Sequence, residues 1–177
     1  MDKLPLFVIS GALGVGKASA ANELISRNNN KYIVLSGAMC NIMTFPEFMA
    51  STRKTWVDIC VSVSKQTGRS VVFYEDLYPD TFDGIDPDIR SRIHYITLVC
   101  DTDTLRLRVE EKLGDKAHKR ISNIDKTHFE MAELRNHVYL GNTKYQYPGI
   151  QRLDTTTMTV KEVADRLDEW ICKRIVL

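Results

Sequence analysis

The sequence predicts an α/β protein, with helices on both faces of a parallel sheet of about five strands, a three-layer α/β/α arrangement. Three observations predict it. Five short apolar runs recur along the chain, the stretches between them carry helical spacing, and a glycine-rich turn joins the first run to the first helix.

The runs are Leu4–Ser10, Lys31–Leu35, Ser70–Tyr74, Ile93–Cys100 and the weaker Gly149–Leu153. The first four are nearly continuous in apolar or β-branched residues, the pattern of strands covered on both faces. After the first, Ala20, Ala21, Leu24 and Ile25 have helical spacing that ends at the turn cluster Asn28–Asn30. The segment Phe45–Gln66 is long enough for one or two helices, with Gly68 as the C-cap. Asp101–Leu113 carries Leu105, Val109 and Leu113 on one helical face and is expected to stop at Gly114. At the C-terminus, Thr159 and Glu162 form a T-x-x-E capping box ahead of the apolar face Val160, Val163, Ala164, Leu167, Ile171. Lys112–Lys126 is the one compositional shift, basic and without a strong apolar period; it reads as a lid-like excursion around 112–126 within a single domain spanning 1–177.

Composition narrows the function classes. The 177 residues hold 24 Lys+Arg against 23 Asp+Glu, a net charge of +1, with 44% hydrophobic and 27% charged residues. These values exclude a collagen-like, disordered or disulfide-scaffold chain. Balanced charge argues against a dedicated nucleic-acid or anionic-membrane binder. No run approaches the ~20 apolar residues that cross a bilayer, and no secretory leader is evident, so a cytoplasmic location is expected. Cys40, Cys60, Cys100 and Cys172 form no CxxC pair, and His94, His118, His128 and His137 form no HExxH, so no metal site of protein ligands alone is expected.

The dominant motif is Gly11-Ala12-Leu13-Gly14-Val15-Gly16-Lys17, a GxxxxGK that follows the first strand and opens the first helix. This is the context of a phosphate-binding P-loop. Glycines let backbone N–H groups converge on phosphate oxygens, the helix N-terminus adds partial positive charge, and Lys17 would reach the β/γ-phosphates. The next residue is Ala18, where the motif usually carries the hydroxyl that binds Mg²⁺; Ser19 follows.

With ISGALGVGK, the strand–helix order, DTLRLRVEEK after the fourth strand and LDTTTMTVKEVADRL at the end, the sequence resembles the P-loop NTPases, and within them the small kinases that phosphorylate nucleosides, nucleotides or other metabolites. The resemblance implies a strand order of 2-3-1-4-5 and ATP with Mg²⁺ as cofactors. Adenylate kinases carry GKGT here, so Ser19 would contact the α-phosphate, with the phosphate cradle formed by Gly11, Gly14, Val15, Gly16, Lys17 and Ala18. Such kinases set the third strand beside the first. Glu75 or Asp76, directly after the third strand, would then hold the metal, Asp76 through water, or take the acceptor's proton. The acid many nucleoside kinases place after the second strand is missing from Leu35–Met39, and Glu47 is the nearest. Arg108 and Lys112 share a helix face and, with Arg120, would neutralise the transferring phosphoryl group as an R-x-x-x-R and lid do in related enzymes. The acceptor segment Asn41–Trp56 offers Arg53 and Trp56.

The expected activity is ATP-dependent phosphoryl transfer to a small acceptor. A regulatory GTPase would need NKxD and DxxG motifs, and Asn142-Thr143-Lys144-Tyr145 breaks the first. A non-catalytic or weakly hydrolytic nucleotide-binding protein is the alternative, motivated by Ala18 and the missing acid.

Overall fold

The computed structural model describes residues 4–27, 30–37, 49–117, 122–141 and 150–175, with side chains described throughout these ranges except at 49–54, 113–117 and 122–127. Strands β1 (Leu6–Ser10), β2 (Tyr32–Ser36), β3 (Ser70–Tyr74), β4 (Ile93–Val99) and β5 (Gln151–Asp154) alternate with helices α1 (Lys17–Ser26), α2 (Met49–Thr67), α3 (Pro87–Arg90), α4 (Thr102–Ala117), α5 (Ser122–Leu140) and α6 (Val160–Ile175). The sheet runs β2-β3-β1-β4-β5 with every pairing parallel. That is the order implied by the kinase resemblance.

β1 is central and wholly buried, which is why its sequence shows no polar alternation. Phe7 and Ile9 join a core with Leu24 of α1, Leu105 and Val109 of α4, and Leu167 and Ile171 of α6. On the opposite face Leu6 and Val8 meet two smaller clusters built with Val57 and Cys60 of α2, Phe73 of β3 and Phe82. The register sets Ile9 level with Tyr74 and Ser10 level with Thr97, so the chain leaves β1, β3 and β4 along one edge.

Local signals decide the helix ends. Gly68 at φ +64 closes α2, its N–H donating to the Ser64 carbonyl at 3.0 Å. Ahead of α6 the Thr159 N–H donates to Glu162 Oε2 at 2.8 Å, and the Glu162 N–H returns to Thr159 Oγ1 at 3.3 Å. α4, by contrast, runs through Gly114 to Ala117. A glycine costs a helix only about 1 kcal/mol relative to alanine, and packing of α4 along α5 outweighs it. The basic segment is correspondingly helical on both sides of residues 118–121, which lie outside the described residues. β5 begins two residues later than the apolar run suggests, as a mostly exposed edge strand. Among the described residues no helix is long and apolar enough to cross a membrane.

Two substitutions separate the core face from the solvent face. Leu167→Ala, at a fully buried position, is expected to lower the unfolding free energy by about 2–5 kcal/mol, and Ile25→Ala, 54% exposed, by less than about 0.5 kcal/mol. Urea titrations followed by circular dichroism measure both; equal losses would contradict this assignment of faces.

Candidate phosphate-binding site

The glycine-rich turn lies where β1 ends, and its backbone is shaped by close packing. Gly11 has φ +140, and a Cβ there would run into the Leu98 carbonyl oxygen. Gly16 caps α1 in the left-handed region at φ 101. It offers no side-chain cap, and the first turn of α1 carries no acid, so the leading amides are left for an anion.

The carbonyls of the same turn are satisfied by side chains. Lys17 Nζ donates to the carbonyls of Gly11 and Ala12, the latter at 2.8 Å. Thr155, directly after β5, is 1% exposed, and its hydroxyl lies 3.0 Å from the Val15 carbonyl and 3.1 Å from that of Val99. Arg108 of α4 donates to Thr155 Oγ1 at 3.0 Å and to its carbonyl at 2.8 Å.

A cleft of about 760 Å³ opens in front of this turn. Residues 12–19 line it, with Asn22, Tyr74, Glu75, Arg108, Glu111 and Lys112 around the rim, and Thr155, Met158, Val160 and Val163 on the side of α6. Its volume suits a nucleotide-sized ligand. Ala18 and Ser19 are exposed in it.

The two acids after β3 part company. Glu75 borders the cleft, and its Oε1 accepts from the Asp76 N–H at 2.9 Å. Asp76 is engaged at both carboxylate oxygens, Oδ2 by Arg135 and Oδ1 by the Tyr139 hydroxyl at 2.9 Å. Tyr139 also lies 3.0 Å from Ser10 Oγ and stacks on Tyr78 at 5.0 Å between ring centroids. The hydroxyl of Tyr95 and that of Ser10 both donate to the Leu77 carbonyl, and the Leu77 N–H returns to Ser10 Oγ at 3.0 Å. This polar network fixes the loop after β3 against β1 and α5. Burial raises both phenols, Tyr95 to about 12, so both remain hydrogen-bond donors at neutral pH.

Lys17 is the electrostatic centre. Burial pulls its ammonium from 10.5 down to about 8, against the raising influence of Asp76 and Glu75, while Lys112 and Arg135 lower it further. A phosphate in the cleft would reverse that shift by supplying opposite charge.

The glycine-rich turn, Lys17, Ser19, Glu75, Arg108 and Lys112, expected from the sequence, therefore meet at one cleft. Asp76 sits beside it in an ion pair. Trp56 does not line it. It tilts against Phe73 at 5.0 Å inside the α2 core, because Trp56, Val57, Cys60 and Ser64 share the helix face turned to the sheet. The expectation that Trp56 serves the acceptor site is replaced by core packing. Arg120 lies outside the described residues, as do residues 38–48 with Glu47; Arg53 belongs to α2, but its side chain is not described.

Arg135, Tyr139 and Thr155 went unread in the sequence. The first two belong to α5, whose inward positions Phe129, Ala132, Asn136 and Tyr139 mix polar with apolar residues and so blur the helical period. Buried Asn136 accepts from the Cys100 N–H at 3.4 Å and donates to its carbonyl at 2.6 Å, closing the end of β4.

No protein-family profile matches the chain, and no curated protein matches it in sequence. Solved structures do match in shape. A gluconokinase from Sinorhizobium meliloti superposes with a TM-score of 0.58 at 12% identity, over 99% of this chain and 96% of that one. A sugar kinase from a Janibacter species gives 0.54 at 14% identity, over 96% and 95%. The tunicamycin resistance protein of Deinococcus radiodurans gives 0.57 at 14%, over 95% of each chain. The chain has the fold of the small P-loop kinases.

The buried ammonium has a measurable consequence. Between about pH 8 and 10.5 the unfolded chain keeps a proton that the folded Lys17 has released, so stability rises with pH in that window. The unfolding free energy of the ligand-free protein, taken relative to Lys17→Met, is expected to climb by up to about 3 kcal/mol across the window. Denaturant titrations at stepped pH measure it, and a difference independent of pH would remove the buried-cation account.

Proposed function

We propose that this protein is an ATP-dependent phosphotransferase that moves the γ-phosphoryl group of ATP to a nucleoside, nucleotide or other small metabolite. The observation that carries this reading is the uncapped start of α1, whose turn carbonyls are held by Lys17 and Thr155 and whose residues line a cleft bordered by cations and by the acids Glu75 and Glu111. An anion-binding turn alone would suit any phosphate ligand. The adjoining acids, and the small-molecule kinases of the same fold, favour phosphoryl transfer.

In this reading the turn amides and Lys17 hold the β- and γ-phosphates, and Ser19 lies at the α-phosphate. Lys112 and Arg120 of the lid-like segment 112–126 neutralise charge on the transferring group, while Arg108 stays on Thr155 and Arg135 on Asp76. Asp76, oriented by Arg135 and Tyr139, receives the proton of the acceptor hydroxyl. Mg²⁺ is ordinarily held by one or two carboxylates together with substrate phosphates. The residues fit that demand: Glu75 borders the cleft with Asp76 beside it, although Ala18 supplies no hydroxyl. Bound there, Mg²⁺ would screen the phosphate charge. Ala18 also motivates the other reading, a protein that binds nucleotide without transferring it.

ADP release from Mg·ATP, alone and with pooled nucleosides, nucleoside monophosphates and hydroxylated metabolites, separates the two. Release is expected to depend on the acceptor and to vanish in Lys17→Ala. Bound ATP with no release under any acceptor would favour the non-catalytic reading, and unchanged release in Lys17→Ala would overturn the role of the turn. Ala18→Ser is expected to raise Mg²⁺-dependent turnover several-fold, on the order of one hydrogen-bonded ligand; the same assay over a Mg²⁺ titration reads it.

A further inference from the structure

We propose that Thr155 is a positioning residue for phosphate binding, acting through the Val15–Gly16 peptide, and that Arg108 holds it in place. The inference rests on the proposed binding of a nucleotide at the glycine-rich turn. Val15 is fully buried, and a buried carbonyl needs a donor. The Thr155 hydroxyl lies 3.0 Å from that carbonyl. The Val99 carbonyl, 3.1 Å from the same hydroxyl, also receives the Thr155 N–H at 2.8 Å, so Val15 is the acceptor with the greater need of the hydroxyl proton.

The consequence follows from peptide geometry. No peptide bond among the described residues is cis, so the Val15 carbonyl and the Gly16 N–H point in opposite directions across one rigid plane. Glycine at φ 101 gives that plane freedom to turn. Fixing the oxygen on Thr155 fixes the N–H the other way, in a turn whose residues 12–19 line the cleft. Without the hydroxyl, the plane could rotate and withdraw one of the amides that receive phosphate.

Arg108 completes the tether. Its two terminal nitrogens reach the hydroxyl and the carbonyl of the same residue, so Thr155 cannot swing without breaking both bonds. The chain of contacts joins three elements distant in sequence: the turn after β1, the first turns of α4, and the loop after β5. Arg108 thereby contributes through Thr155 and not as a free cation on the phosphates. A side chain that merely filled space here would need no hydroxyl.

The test compares wild type with Thr155→Val, which keeps the shape and loses the hydroxyl, and Thr155→Ser, which keeps the hydroxyl. Inorganic tripolyphosphate and ATP are titrated by calorimetry, and the Gly16 amide is followed by ¹⁵N–¹H spectroscopy in the ligand-free proteins. Thr155→Val is expected to bind tripolyphosphate about tenfold more weakly and to shift the Gly16 resonance, the cost of one unmade buried hydrogen bond. Thr155→Ser is expected to recover most of the affinity and the wild-type resonance. If Thr155→Val does not fold, Thr155→Ala takes its place. Wild-type affinity in the hydroxyl-free variant, or a Gly16 resonance that does not move, overturns the tether while leaving nucleotide binding intact. A wild-type protein that binds neither ligand overturns the proposed function and the tether with it.

Discussion

The structure depends on one demand made where β1 runs into α1: a tight turn must leave its N–H groups without protein partners while none of its buried carbonyls goes unpaired. Helices ordinarily meet half of this demand with an N-cap side chain, as Thr159 does for α6. α1 does the reverse. Its cap is a glycine, and the carbonyls of Gly11, Ala12 and Val15 are met by the side chains of Lys17 and Thr155. On the proposed function, the amides are the groups left to an incoming anion, in a turn already shaped without it.

The sheet order is what makes this possible. A central β1 with β3 on one side and β4 on the other brings three chain exits to one edge. Glu75 and Asp76 leave β3 there, Arg108 arrives from α4 after β4, and Thr155 follows β5. None of these is near Lys17 in sequence. Their convergence is a property of parallel pairing with right-handed crossovers, which returns successive strands with their carboxyl ends together. The buried charges are arranged to the same end. Lys17 is opposed by Asp76 and Glu75, and Asp76 is itself held by Arg135, so the ammonium does not collapse onto a carboxylate; among the described contacts it stays on the turn's own carbonyls.

How much of this the sequence discloses depends on the range of the interaction. The strands, the turn and the α6 cap are written in contiguous residues, and the structure places them within one or two residues of the apolar runs and the T-x-x-E box. α5 is the exception. Its inward face includes Asn136 and Tyr139, polar because they close the end of β4 and orient Asp76, so a search for apolar periodicity passes over it. Trp56 misled for the opposite reason. An aromatic beside an arginine looks like a ligand platform in one dimension, but only the helix phase, set by Val57, Cys60 and Ser64, decides that it turns into the core. Thr155 is one of three successive threonines, and nothing local marks it as the one whose hydroxyl meets the turn.

The missing hydroxyl at Ala18 then takes on a particular meaning. In a turn whose lysine sits in a desolvated place, the folded protein carries an unfavourable charge, which on the proposed function a polyphosphate pairing with Lys17 would relieve. Part of the ligand's interaction energy therefore appears as stabilisation of the fold, because a group that binds only the native state shifts the folding equilibrium by mass action. Binding of this kind draws on the amides and Lys17 and does not require a metal-ligating hydroxyl on α1. Transfer does make a further demand, since charge develops on the leaving oxygen only in the transition state and must be met there by groups already in place. Under the proposed function, with Ala18 unable to contribute, that demand would fall on Lys112 at the cleft's border, and Glu75 would serve it only by holding Mg²⁺. On the proposed function, nucleotide affinity and phosphoryl transfer are thus separable. In that reading affinity would rest on the β1–α1 turn, and transfer on the residues that the later elements bring to it.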